Sequence, residues 1–179
     1  MRTIRTSSHH PPHLLLDDSW YFLTAGTYQR QPLLHSNKDK QVFQRHLTGL
    51  AKKFSIQLFA WVILDNHYHL LLHSATSQDI GSYIKRLHGR TAYEINKENN
   101  QRGSQIWHNY WDTLIRGEAD YWVHFNYIHY NSVKHAFATQ MGDWEFSSYR
   151  AHLEENGEEW MADVLRTYPV VDFQLAGDS

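Results

Sequence analysis

Residues 61–73 read WVILDNHYHLLLH, and the run divides at Asp65-Asn66. That pair favours a turn, because short polar side chains hydrogen-bond the local backbone. Before it, residues 56–64 are nearly all apolar and predict a strand lying centrally in a sheet. After it, residues 67–73 predict a returning strand. Strand side chains alternate between faces, so His67 and His69 project together while Tyr68, Leu70 and Leu72 take the opposite face. One face of this strand is built for packing and the other carries two imidazoles.

Working outward, residues 20–28 (WYFLTAGTY) are aromatic and β-branched and predict a first strand. Ser36 caps a helix over 37–53, with Val42, Phe43, Leu47 and Leu50 near helical spacing. A second helix starts at Ser77 or Gln78 and runs to about Asn96, with Ile80, Tyr83, Ile84 and Leu87 on one stripe. The polar stretch 97–105 is a loop, 106–115 a strand, and 118–137 a third helix whose Glu118 and Asp120 suit the positive end of its dipole. A short helix is expected around 157–167. The order strand, helix, strand, strand, helix, strand predicts an α+β fold. It is the ferredoxin-like split βαβ (RRM-like) pattern, an antiparallel sheet with helices packed on one face. Such a fold serves many activities, so function has to come from the residues it carries.

Aromatic residues make up 15% of the 179-residue chain and hydrophobic residues 41%, enough for a folded core. The chain has no cysteine, which excludes disulfides and thiolate metal sites. No run approaches the ~20 apolar residues of a membrane span, and residues 1–13 lack a signal peptide's apolar stretch, so a cytoplasmic protein is expected. The net charge of −2 is unevenly spread: residues 143–179 hold nine acidic and two basic side chains, leaving ten acidic and fifteen basic ones in 1–142. A surplus of that kind permits binding to phosphates. The expected organisation is a flexible arm over 1–18, one domain over 19–142, and an acidic C-terminal tail with a short helix over 143–179.

Three groups of residues are suited to chemistry or binding. Two imidazoles on one strand face can offer nitrogens to one metal ion, although two of fourteen histidines on a half-exposed strand need no such role. On the third predicted helix, Tyr127 and Asn131 lie about one turn apart and share a face, with His124 a turn earlier. A phenol becomes a nucleophile when its proton is removed or its oxygen meets a cation, and an amide oxygen can be a third, harder metal ligand. A packed ring beside a surface amide would have the same spacing. Lys85, Arg86 and Arg90, with Tyr93 beyond, can contact phosphates and stack on bases, or form an ordinary solvated helix face. The aromatic run Trp107, Tyr110 and Trp111 reads mostly as core.

Three passages occur together in order: residues 61–73 quoted above, IWHNYWDTLIRGEADYWVHFNYIHYNSVKHAF (106–137) and DWEFSSYRAH (143–152). From Trp20 to about Tyr149 the chain thereby resembles the single-tyrosine HUH transposases of small bacterial insertion sequences. The likeness is closer to the REP-associated tyrosine transposases, which are linked to repetitive extragenic palindromes. The resemblance implies that His67, His69 and Asn131 hold a divalent ion, Mg²⁺ or Mn²⁺. Tyr127, rather than Tyr130, becomes the nucleophile. It further implies cleavage and rejoining of single-stranded or hairpin DNA through a 5′-phosphotyrosine link, at REP-like palindromes. Candidate DNA contacts are Lys85, Arg86, Arg90 and, from the arm, Arg2 and Arg5; a monomer is expected. The chain departs from the family pattern at Asp65 and Ser132, each in place of a common proline, and at Ala136 in place of glycine. Two other readings stay open at this point: a palindrome-binding regulator without catalysis, and a nuclease or relaxase-like enzyme that does not rejoin strands.

Overall fold

The computed structural model describes residues 15–173; Arg2 and Arg5 lie outside the described residues. Four strands, β1 (Ser19–Thr27), β2 (Gln57–Ile63), β3 (His67–Ser74) and β4 (Trp107–Leu114), form one antiparallel sheet in the order β2-β3-β1-β4. Helices α1 (Asn37–Lys53) and α2 (Ser77–Glu98) supply the two crossovers, and α3 (Glu118–Lys134) follows β4. The α+β split βαβ fold expected from the sequence is the fold observed. Ser36 caps α1 as expected, its hydroxyl accepting from the Asp39 amide.

One expectation is corrected. The helices are not confined to one face of the sheet. Tyr21, Leu23, Ala25, Tyr68, Leu70 and Leu72 pack with α1 and α2 in one hydrophobic core. Phe22, Ala60, Val62, Leu64 and Leu71 pack on the other face with Phe125, Tyr127 and Ile128 of α3 in a second. Burial on both faces follows from the sequence of β3 itself, whose first six residues are all buried. A third helix with its own apolar residues has to cover the second face, because a sheet face left open would expose them.

The segment after α3 folds onto that same face as two helices, α4 (Tyr149–Asn156) and α5 (Glu158–Thr167). The sequence reading had only the second of these. Residues before and within α4 fasten to the β2 edge: Ser147 bridges Val62, the Trp61 amide donates to Ser148 Oγ at 2.9 Å, and His152 Nε2 lies 2.7 Å from the Phe59 carbonyl. Covering the edge in this way removes an unpaired strand margin.

Helix α3 ends three residues earlier than its apolar pattern suggests. Ala136 holds a left-handed backbone (φ 58°), and the amides of Ala136 and Phe137 bond the carbonyls of Val133 and Ser132. That pairing is a Schellman cap, in which glycine is the usual left-handed residue.

Candidate active site

The hairpin β2–β3 and helix α3 build the site from opposite sides. His67 and His69 rise from β3 with ring centroids 5.0 Å apart, and both are buried. Across the gap, α3 presents Asn131, whose Oδ1 is 3.0 Å from His67 Nε2. Tyr127, one turn back on α3, packs its ring 5.4 Å from that of His69. Phe22 of β1 lies beneath, 5.3 Å from His69 and 6.0 Å from Tyr127. The four residues singled out in the sequence, 58 or more positions apart between the two groups, therefore converge. Tyr130 turns the other way and lines a separate groove with Met141, Tyr149 and Leu153.

His67 is held from both ends. Its Nδ1 is 2.7 Å from the side-chain oxygen of Asn66 and its Nε2 faces Asn131. Burial first, then repulsion from His69, pushes the His67 pKa well below the ordinary imidazole range. A neutral imidazole carries one N–H, so only one of the two amide oxygens can receive a hydrogen bond. With Nδ1–H donating to Asn66, the lone pairs of Nε2 and Asn131 Oδ1 face each other, an arrangement that a cation between them relieves. Ligand bonds of ~2.1 Å at right angles place two donor atoms about 3 Å apart, which matches this spacing. Among the described residues, Asn131 Nδ2 is buried with no hydrogen-bond partner. The donor set thus fits a small divalent ion, although no group of three His, Asp or Glu among the described residues forms a metal site. The third donor has to be the amide.

The turn that carries the first histidine has its own anchor. Lys40 of α1, 1% exposed, places Nζ 2.7 Å from Asp65 and donates to the His35 carbonyl at 3.2 Å. Asp65 is thus half of a largely buried ion pair. Removing either partner would leave the other charge poorly solvated.

Several site residues escaped the sequence reading. Lys134, two turns beyond Tyr127 on the same helix face, donates to the Tyr127 hydroxyl at 3.3 Å, and its Nζ sits 5.2 Å from that ring's centroid. The i, i+7 spacing was a usable signal. His135 places its ring 4.9 Å from that of His67, and burial and the Lys134 charge lower its pKa. The chain beyond α5 also reaches the site. Asn126 donates to the carbonyl of Tyr168 at 2.7 Å, leading the segment past α3. Asp172 then pairs with Lys134 at 2.7 Å, while the Phe173 ring stacks on His124 at 4.4 Å and meets Tyr127 edge-on at 5.1 Å. Tyr127 is 0% exposed under this cover.

Lys85, Arg86 and Arg90 are not brought to this site. They are exposed on α2, across the sheet from Tyr127, and line a surface pocket of about 520 Å³ with Phe54 and Ser82. Tyr93, 71% exposed, continues the same face of α2.

The family described as IS200-like transposases matches residues 17–131, more than half of the chain. The REP-associated tyrosine transposase of Escherichia coli (strain K12) is 25% identical over 150 residues, 82% of this chain and 86% of that one. The solved structure of a REP-associated tyrosine transposase bound to a REP hairpin superposes with a TM-score of 0.70 at 23% identity, over 95% of this chain and 97% of that one. At that identity the superposition speaks for the fold. No helix among the described residues is long and apolar enough to cross a membrane. With the matched region running from β1 through Asn131 of α3, the chain belongs to the IS200-like transposase family and is a DNA transposase.

Proposed function

We propose that the chain cleaves and rejoins single-stranded or hairpin DNA at REP-like palindromes, with Tyr127 as the nucleophile. The observation that carries this reading is the convergence of Tyr127, Asn131, His67 and His69 on one side of the sheet. Its DNA substrate takes support from the relatives, one of which is described as bound to a REP hairpin. A Mg²⁺ or Mn²⁺ ion held by His67, His69 and Asn131 supplies Lewis-acid polarisation of a phosphate oxygen when bound. The Tyr127 oxygen bonds to phosphorus and loses its proton, the bond from phosphorus to the 3′-oxygen breaks, and that oxygen leaves as a 3′-hydroxyl after taking up a proton. The product is a 5′-phosphotyrosine, so the phosphodiester energy is kept and another 3′-hydroxyl can reverse the step. Lys134 stabilises the negative charge on the Tyr127 oxygen from 3.3 Å away. Asn66 orients His67, as an outer-shell partner orients a metal-ligating imidazole.

Lys85, Arg86 and Arg90 hold the DNA backbone on the far side of the sheet, and exposed Tyr93 offers a ring on which an unpaired base can stack. The protein works as a monomer in this reading, with residues 143–173 as its own cover for the site rather than a partner's helix. A palindrome-binding regulator without catalysis would share the α2 face but would have no use for the Tyr127 constellation. The test is a denaturing gel with end-labelled hairpins and Mn²⁺ or Mg²⁺. Wild type is expected to give a covalent protein–DNA band and to pass the label to an acceptor strand. Tyr127→Phe is expected to bind the hairpin yet give neither. Binding by wild type without an adduct would reverse the reading in favour of the regulator, and an adduct without transfer would make the protein a nuclease.

A further inference from the structure

One more charged side chain is directed to the histidine side of the sheet. Arg30 follows β1 in a turn where Gln29 (φ 53°) and Arg30 (φ 56°) both hold left-handed backbone. Residues with a Cβ rarely occupy that region, and two in succession persist only where the surroundings enforce them. Here the enforcement is visible. The Tyr28 amide donates to the Ile106 carbonyl at 2.7 Å, Thr27 Oγ1 donates to the Gln31 carbonyl at 2.5 Å, and Asn66 Nδ2 donates to the carbonyl of Arg30 itself at 3.3 Å. Asn66 is the same residue that orients His67.

The turn sends the Arg30 side chain back over Gly26. A Cβ built on Gly26 would lie 3.1 Å from Arg30 Nη1 and 3.2 Å from its Cζ and Cδ, so the bare glycine is what lets the guanidinium lie down there. Gly26 sits at a register shift between β1 and β4, and its partner across β3 is His67. Side chains of directly paired residues in antiparallel strands project to the same face, with Cβ atoms ~5 Å apart. The guanidinium is therefore held on the face that carries His67 and His69. His135 stands on that face too, against His67, and its buried Nε2 has no hydrogen-bond partner among the described residues. Lys134 brings a second fixed cation from α3. Arg30, Lys134 with its Asp172 partner, and the His135 imidazole line the same side of the nucleophile, where a phosphate oxygen would arrive with the substrate.

We propose that Arg30, laid over Gly26, binds a non-bridging oxygen of the scissile phosphodiester and holds that phosphate against the histidine pair. The proposal rests on the transposase reading above, since it needs a phosphodiester at Tyr127. A guanidinium suits this task because its planar N–H fork matches two phosphate oxygens, and because its charge is permanent.

The test couples the side chain to the atom it is proposed to touch. Single-turnover adduct formation is measured for wild type, Arg30→Ala, Arg30→Lys and Gly26→Ala, each with a normal hairpin oligonucleotide and with one bearing a methylphosphonate at the scissile position. Arg30→Ala is expected to slow the normal substrate about 100-fold, the order seen when one preorganised donor to a developing charge is removed. Its hairpin affinity should stay within about threefold, because most phosphate contacts lie elsewhere. The methylphosphonate should cost wild type a similar factor and Arg30→Ala less than about threefold more, as expected for two changes that break one contact. Arg30→Lys should recover part of the rate, and Gly26→Ala, which crowds the guanidinium without removing it, should show the same loss of coupling. Losses that multiply independently in Arg30→Ala and Gly26→Ala would overturn the proposal while leaving the transposase reading intact. No adduct from wild type on the normal oligonucleotide would overturn both.

Discussion

The two faces of the sheet are made from the same strands and differ in kind. On the α1–α2 face, Tyr68, Leu70 and Leu72 are fully buried in an apolar core, and the helix surface outside it is open and basic. On the α3 face, His67 and His69 alternate with those same residues, are just as buried, and are enclosed by α3 and by the segment ending at Phe173. The difference teaches that period-two alternation lets one eight-residue strand serve stability and chemistry separately. It also shows that the chemical side is the closed side. DNA can meet α2 without any rearrangement, whereas a phosphate reaching Tyr127 has to displace Asp172 and Phe173.

Neighbouring substitutions in β3 should break the comparison most visibly. His69→Ala is expected to lower adduct formation about 1000-fold, as loss of a group that polarises the reacting phosphate would. Leu70→Ala is expected to lower unfolding free energy by about 2–5 kcal/mol and leave the rate of the folded fraction intact. Single-turnover kinetics beside urea denaturation would show this. A Leu70→Ala enzyme that is stable but inactive would mean the faces are not separable.

Acid should weaken both faces through their buried imidazoles. Burial pushes the pKa of His88, stacked on Trp107, down to about 3, and holds His67 and His129 well below the ordinary range. The unfolded chain binds protons at ~6.5, so it takes up more of them than the folded one below that pH. Stability is therefore full above pH ~6.5 and falls as the pH drops, by about 2 kcal/mol for each such histidine by pH 5. Denaturation curves at pH 7 and pH 5 check the sign; equal midpoints would show that these rings are hydrated.

A smaller effect is expected from opening the closed face. Asp172→Asn combined with Phe173→Ala should raise adduct formation about tenfold, the change that follows if those contacts hold the cover in place by about 1.4 kcal/mol. Hairpin affinity, proposed above to be set on α2, should not move. An unchanged rate would show that the cover opens freely.

Much of this was legible in the sequence. Strand alternation places both histidines on one face, and helical spacing places Tyr127 with Asn131. Element ends were read to within a residue or two, except at α3, where Ala136 adopts the left-handed cap that its side chain gives no sign of. What was not legible depends on contacts between distant segments. Nothing local in Arg30 says that its backbone turns left-handed to lie over Gly26, or in Phe173 that it covers a tyrosine forty-six positions earlier. The missed α4 has the same origin: it is short and only weakly patterned, and it is held by bonds to β2.

The most direct measurement locates the covalent bond. A hairpin reacted with the protein and Mn²⁺ would be trimmed with nuclease and the protein digested with trypsin, and the peptide 117–134 fragmented by mass spectrometry. It contains Tyr121, Tyr127 and Tyr130. The nucleotide mass is expected on Tyr127, the tyrosine that faces the histidine pair. The same mass on Tyr130 or Tyr121 would place the chemistry outside the His67–His69–Asn131 cluster and contradict the account.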